Sequence, residues 1–203
     1  AQAPLADEPT KRGGGGVLKL LWWRGAVHLN PHFAGGTKEQ DATRIFYEPL
    51  AGWDTEGNLI PMLATEIPTR QNGGVSADGR SVTWKLKRGV TWHDGTPFTA
   101  DDVVFSLARA VGEGSDMRSN TNDIKEVRKI NSHTIEIETK SPFPILPNVL
   151  STVFIMSKKW CEDNQATRPV DRRRGIENAA SFRANGTGPY RLRERQPNIR
   201  TTF

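Results

Sequence analysis

Residues Ser76 to Val111 read SADGRSVTWKLKRGVTWHDGTPFTADDVVFSLARAV, the stretch that specifies most about local structure. Val82, Trp84 and Leu86 alternate with Thr83, Lys85 and Lys87, the period-two pattern of a strand with one apolar and one polar face. Arg88-Gly89 is a turn. Val90 and Trp92 resume the alternation and predict a second strand, after which His93-Asp94-Gly95 turns the chain again. Thr99 then stands as a helix N-cap, with Asp102 three residues on to complete a capping box. Phe98 and Val103 occupy the positions of a hydrophobic staple. Asp101 and Asp102 bring negative charge to the positive end of the helix dipole. Val104, Leu107, Ala108 and Val111 are assigned to the buried helix face, and Gly112 to its stop.

The run from Asp78 to Leu107 resembles the signature segment of the bacterial extracellular solute-binding proteins of family 5, the oligopeptide-, dipeptide- and nickel-binding components of ABC importers. Similar pieces flank it in the family's order: Tyr47-Glu48-Pro49-Leu50, Leu59-Ile60-Pro61-Met62-Leu63-Ala64 and Gly186-Thr187-Gly188-Pro189-Tyr190. The resemblance implies a mixed α/β chain that is part of a two-lobe, type II periplasmic-binding-protein fold. Residues 1–16, with Pro, charge and four glycines, have nothing to bury and are read as a flexible leader; beyond them the resemblance implies the first part of lobe I over 17–37, an inserted smaller α+β domain over 38–181, and a truncated return to lobe I over 182–203, with the second lobe absent. It also implies a periplasmic location, a peptide or other small solute as ligand, an ABC permease in the inner membrane as partner, no cofactor, no enzymatic activity and a monomer.

Composition sets outer limits. With 203 residues, 35% hydrophobic and 25% charged, the chain suits a soluble globular protein with a sizeable core. No apolar run approaches the roughly 18 residues of a membrane span. One cysteine, Cys161, excludes an internal disulfide and any multi-cysteine metal site. The Ala-Gln-Ala start suits an end left by signal-peptide removal. From Lys158 onward eleven Lys or Arg face five Asp or Glu, which accounts for the net charge of +5. That basic stretch raises one alternative, a nucleic-acid-binding domain. A solvated surface is the preferred reading, because Arg172-Arg173-Arg174 is short and no nucleic-acid-binding motif accompanies it. The resemblance likewise implies no nucleic-acid partner.

Along the rest of the chain, 17–23 reads as a strand apolar at nearly every position, with a loop leaving its carboxyl end at Arg24 to His28. Ligands of open α/β sheets bind beyond such ends. Thr37 with Gln40 forms a second capping-box pattern. Trp53 to Gly57 is a hairpin turn, 113–123 a polar loop, and 124–130 with 134–139 a second hairpin turning near Asn131-Ser132. A short helix is expected over 176–182 and a final strand from Tyr190.

Candidate site residues divide in two groups. Trp22 and Trp23 point to opposite faces of their strand, so one is placed toward a ligand cleft, against an equal case for plain packing. With Arg24, Ala26 and Val27 they form the first expected ligand contact, and Arg24 suits a ligand carboxylate. Ser119, Asn120 and Thr121, with Ser151-Thr152-Val153, are expected as a second patch. These positions follow from where the resemblance aligns. His28 and His32 have a metal-like spacing, but Pro31 breaks any helix between them. His93-Asp94 lacks a nucleophile motif. Asp101/Asp102 and Glu136/Glu138 lack an apolar pocket for acid catalysis, and Cys161 lacks an activating partner.

Overall fold

A computed structural model describes residue 20 and residues 25–170, 177–196 and 199–203. The expected strand over 17–23, the leader and the triple arginine therefore lie outside the described residues, apart from Leu20. In chain order the elements are α1 (Thr37–Thr43), β1 (Ala51–Trp53), β2 (Leu59–Pro61), β3 (Ser81–Lys85), α2 (Ala100–Val111), α3 (Arg118–Thr121), β4 (Ile124–Asn131), β5 (Thr134–Thr139), α4 (Leu146–Val149), α5 (Lys158–Asp163), β6 (Glu194–Gln196) and β7 (Arg200–Thr202).

The principal sheet is antiparallel, in the order β3–β5–β4. Alternation puts one face inward. Val82 stands opposite Ile137 and Trp84 opposite Ile135, and all four are fully buried. On the outer face Glu138 and Glu136 meet Lys125 and Arg128 of β4. Such exposed pairs add little stability but keep the polar side wet. The β4–β5 hairpin turns at Ser132-His133, beside the expected position.

α2 lies across this sheet. The face buried in it is Ala100, Val103, Leu107 and Ala110, rotated about one position from the expected stripe. Ala108 is exposed, while Val104 and Val111 are half-buried at the margin. The capping box forms as read: the Thr99 amide donates to Asp102 Oδ2 at 2.9 Å. Phe98 and Val103 are both buried, as a staple requires.

The second expected strand does not form. The Trp92 amide donates to Thr96 O and the Phe98 amide to Val90 O. The segment thus curls on itself around one isolated bridge, Thr91 to Pro97. Trp92 is buried all the same, with its ring edge-on to Phe98 at 5.9 Å.

Asp102 ties these pieces together. Its carboxylate accepts from the Thr99 amide, from Trp92 Nε1 at 3.3 Å and from the Lys158 amide at 2.9 Å. It is 6% exposed, and desolvation pushes its pKa up against the pull of those donors.

A second, smaller core gathers Leu29, Phe46, Tyr47, Phe154, Met156, Cys161, Ala166 and Ala180. The expected capping box at Thr37 is displaced: Gly36 is the N-cap, so Thr37 is already helical. The polar stretch 113–123 contains α3, a helical turn that composition did not signal. The expected helix over 176–182 is a three-residue 3-10 turn at Ala179–Ser181. β1 and β2 form the expected hairpin, and β6 begins inside the expected final strand.

The two cores meet at a seam formed by late residues. His93 Nδ1 accepts from the Gly186 amide at 3.3 Å, so Nε2 carries the proton and donates to Gly188 O at 2.8 Å. Asn185 and Asp94 exchange two further hydrogen bonds. The 186–188 backbone presses on Phe46, whose carbonyl accepts from the Gly188 amide at 2.8 Å. A Cβ at 186 would lie 1.7 Å from Phe46 O.

Asp102→Ala leaves three donors of the interior without their acceptor and is expected to lower unfolding free energy by about 3 kcal/mol or more in urea denaturation. Gly186→Ala forces the seam open and is expected to lower it by about 3 kcal/mol in the same assay, whereas Gly57→Ala, in a solvent-facing turn with nothing within 4 Å of a Cβ, is strained only by its φ of 81° and loses about 1 kcal/mol.

Candidate ligand-binding site

The first candidate group lies on the loop that ends at a 3-10 turn, Pro31–Phe33. Its root is interior. Asn30 caps the turn by accepting from the His32 amide, and also accepts from Arg109 Nη1 at 3.1 Å. The Leu29 amide donates to Ser181 O. His32 is fully buried, and its Nε2 must carry the proton because its partner, Phe154 O at 2.9 Å, can only accept. Burial, with the Arg109 charge adding to it, drives the His32 pKa down to about 3. His28 packs on Phe33 with ring centroids 5.0 Å apart. Both histidines therefore have structural surroundings.

The rim of the loop is Gly25 to Val27. Val27 is 36% exposed. Its amide donates to Glu39 Oε1 at 3.3 Å, and the Ala26 and Val27 carbonyls both accept from Arg195 Nη2. Trp22, Trp23 and Arg24 lie outside the described residues.

The second group splits. Asn120 Nδ2 donates to Thr152 Oγ1 at 3.1 Å, so these two side chains meet across 32 residues of sequence. Thr152 passes its own proton to Val149 O. Ser119 is exposed beside them and donates to Asn120 Oδ1. Thr121 turns inward: it is fully buried, with its hydroxyl on Met117 O and Ala110 O. It braces the α2–α3 corner and presents nothing to solvent.

One neighbour was missed in the sequence. Trp53 is 44% exposed, and its indole N–H donates to Ser151 Oγ at 2.9 Å, next to Thr152. Ser151 in turn donates to Asn148 O. A large aromatic directly before a hairpin turn, on the solvent side of a short strand, was the available signal. The patch thus combines one exposed indole face with the Asn120–Thr152 pair, a mixture that suits a ligand having both apolar and amide-like parts.

Other chemistry-bearing residues are accounted for by packing. Cys161 is fully buried, and desolvation pushes its thiol up to about 12. Arg109 is 3% exposed and spends its guanidinium on Ala166 O, Asn30 and Arg168 O; burial lowers its pKa to about 10. Several cations of the basic stretch are engaged locally: Lys158 with Glu162, Lys159 with Asp163, Arg200 with Glu194. Among the described residues no cluster of three or more His, Cys, Asp or Glu is placed to hold a metal ion, and no helix is long and apolar enough to cross a membrane.

Known proteins resemble this chain in sequence and in fold. Residues 58–203 match the family model described as "Bacterial extracellular solute-binding proteins, family 5 Middle". A Sinorhizobium fredii protein named "Probable peptide ABC transporter periplasmic-binding protein" is 38% identical over 56% of this chain and 20% of its own length. The glutathione-binding protein GsiB of Escherichia coli is 30% identical over 81% of this chain and 29% of its own. Among solved structures, NikZ from Campylobacter jejuni in complex with Ni(L-His) superposes with a TM-score of 0.71 at 25% identity, over 85% of this chain and 32% of that one. The fold is therefore part of a type II periplasmic binding protein, and the chain spans less than a third of the curated relatives it matches.

His32 supplies a pH dependence. Its folded pKa lies below the unfolded value of 6.5, so the unfolded state takes up the proton first and stability falls as pH drops from about 6.5 toward 3, by at most about 1.4 kcal/mol per pH unit. His32→Gln, titrated by urea denaturation at pH 7 and pH 4.5, is expected to reduce that slope.

Proposed function

Since the chain belongs to the bacterial extracellular solute-binding proteins of family 5, we propose that it captures a peptide-like solute outside the cytoplasmic membrane and delivers it to an ABC permease. The observation that carries this reading is the family match over residues 58–203, together with two relatives whose names specify peptide and glutathione. In this reading the protein acts as a monomer and performs no chemistry on its ligand. The smaller domain, assigned to 38–181, carries the Trp53 and Asn120–Thr152 patch, and the loop of lobe I carries Gly25 to Val27 with Trp22, Trp23 and Arg24 leading into it.

Capture is a matter of burial and matched polar groups. A solute held between two lobes loses its hydration, so each amide must find a partner. The Ala26 and Val27 carbonyls, each with a second lone pair beyond the one Arg195 takes, suit the N–H groups of a peptide backbone. Arg24 suits a terminal carboxylate as a charge-assisted partner. The Trp53 face suits an apolar side chain, and Asn120 suits a carbonyl or amide. Closure of the lobes then converts capture into a shape that a permease distinguishes from the open one.

Calorimetric titration of the native-length protein with tri-alanine, reduced glutathione and a nickel–histidine complex tests the reading. A dissociation constant at or below about 1 μM for a peptide probe is expected. Asn120→Ala is expected to weaken it by about tenfold, the equivalent of one buried hydrogen bond. Binding of the nickel complex alone would move the ligand class, and no heat with any probe would overturn the proposal.

A further inference from the structure

We infer that Arg195 and Glu39 are positioning residues that set the main chain of Ala26 and Val27 for ligand contact, an inference that rests on the functional reading above.

The two residues come from opposite ends of the chain. Arg195 lies on β6 and Glu39 in the first turn of α1. Arg195 Nη2 donates to Ala26 O at 2.9 Å and Val27 O at 2.6 Å. Glu39 Oε1 accepts from the Val27 amide at 3.3 Å. Consecutive carbonyls and the amide between them are thus held by a cation on one side and a carboxylate on the other. Both are charge-assisted bonds to backbone, the stronger class.

Glu39 is itself fixed. It is 7% exposed, and Lys38 Nζ sits 3.1 Å from the same Oε1. A Cβ on Gly36 would lie 2.8 Å from its other oxygen. Glycine at this N-cap leaves that oxygen in place, whereas a side chain there would push the carboxylate aside.

Among the described residues the rim is otherwise lightly packed. A Cβ at Gly25 would meet nothing within 4 Å, and Val27 is 36% exposed. A short exposed stretch of this kind samples several backbone conformations, and ordering it on binding would weaken affinity. A clamp already made in the free protein removes that penalty. Both carbonyls are met by one nitrogen, Arg195 Nη2, whose two N–H groups serve one carbonyl each; an ammonium carries enough N–H groups to do the same but sits on a flexible stem that is less pre-organised.

The test compares Arg195→Ala, Arg195→Lys and Glu39→Gln with Arg200→Ala, a neighbouring surface arginine, in the native-length protein. Hydrogen exchange of the 26–29 amides is followed without ligand, and tri-alanine and reduced glutathione are titrated. Arg195→Ala is expected to accelerate exchange at 26–29 and to weaken probe binding, each by about tenfold. Arg195→Lys should recover part of both, Glu39→Gln should act chiefly on the Val27 amide, and Arg200→Ala should change neither. Exchange and affinity within about twofold of wild type for Arg195→Ala, or a uniform acceleration over the whole chain, would overturn the inference. Failure of the wild-type protein to bind either probe overturns the functional reading and the ligand half of this one, while the exchange measurement still decides the clamp.

Discussion

The Asp102 carboxylate holds the main core in register. It is a charge in an apolar interior, tolerable only because three N–H groups from three places converge on it: the cap of its own helix, the Trp92 indole and the Lys158 amide. Each donor would be stranded without it. The helix start, the curled segment before it and the chain entering α5 therefore share one electrostatic anchor. The sheet beneath α2 and the position of α3 beyond its other end follow from where that anchor puts the helix axis.

How far this could be read in advance varied with the range of the forces involved. Val82, Trp84, Ile135 and Ile137 declared themselves, because a period of two with large apolar residues permits little else. Thr99 and Asp102 did so too, since a cap is decided within four residues. The readings that departed from the structure turn on which of two local arrangements, each compatible with the same pattern, the packing selects. Trp92 has the alternation of a strand, but no strand runs beside it, and its backbone bonds to Thr96 instead. Ala108 is apolar yet small, and the orientation of α2 is set by Val103 and Leu107, so it turns to solvent. Thr37 has the residue type of a cap, but the helix starts one residue earlier, with Gly36 as N-cap.

The candidate site was legible to a similar degree. Asn120 and Thr152 do meet, although nothing in their spacing announces it; the resemblance alone put them side by side. Thr121 shares their alignment but not their exposure, since a four-residue helical turn must send one side chain inward. Trp53 escaped notice because a turn motif explained its neighbourhood without it. Its contact with Ser151 spans 98 residues, beyond the reach of any local pattern.

The seam between His93 and the 186–188 backbone also bears on the order in which the protein assembles. Its bonds join residues more than ninety positions apart, so they form only once a long loop has closed. Among the described residues the apolar side chains of the larger core end at Ile155 and its anchor at Lys158, so that core closes without the seam. Closing so long a loop costs chain entropy, so the sheet and α2 settle first, with the edge at Phe46 and Tyr47 waiting for its glycine cover. Until that cover arrives, the smaller core is the surface on which a holding chaperone would act.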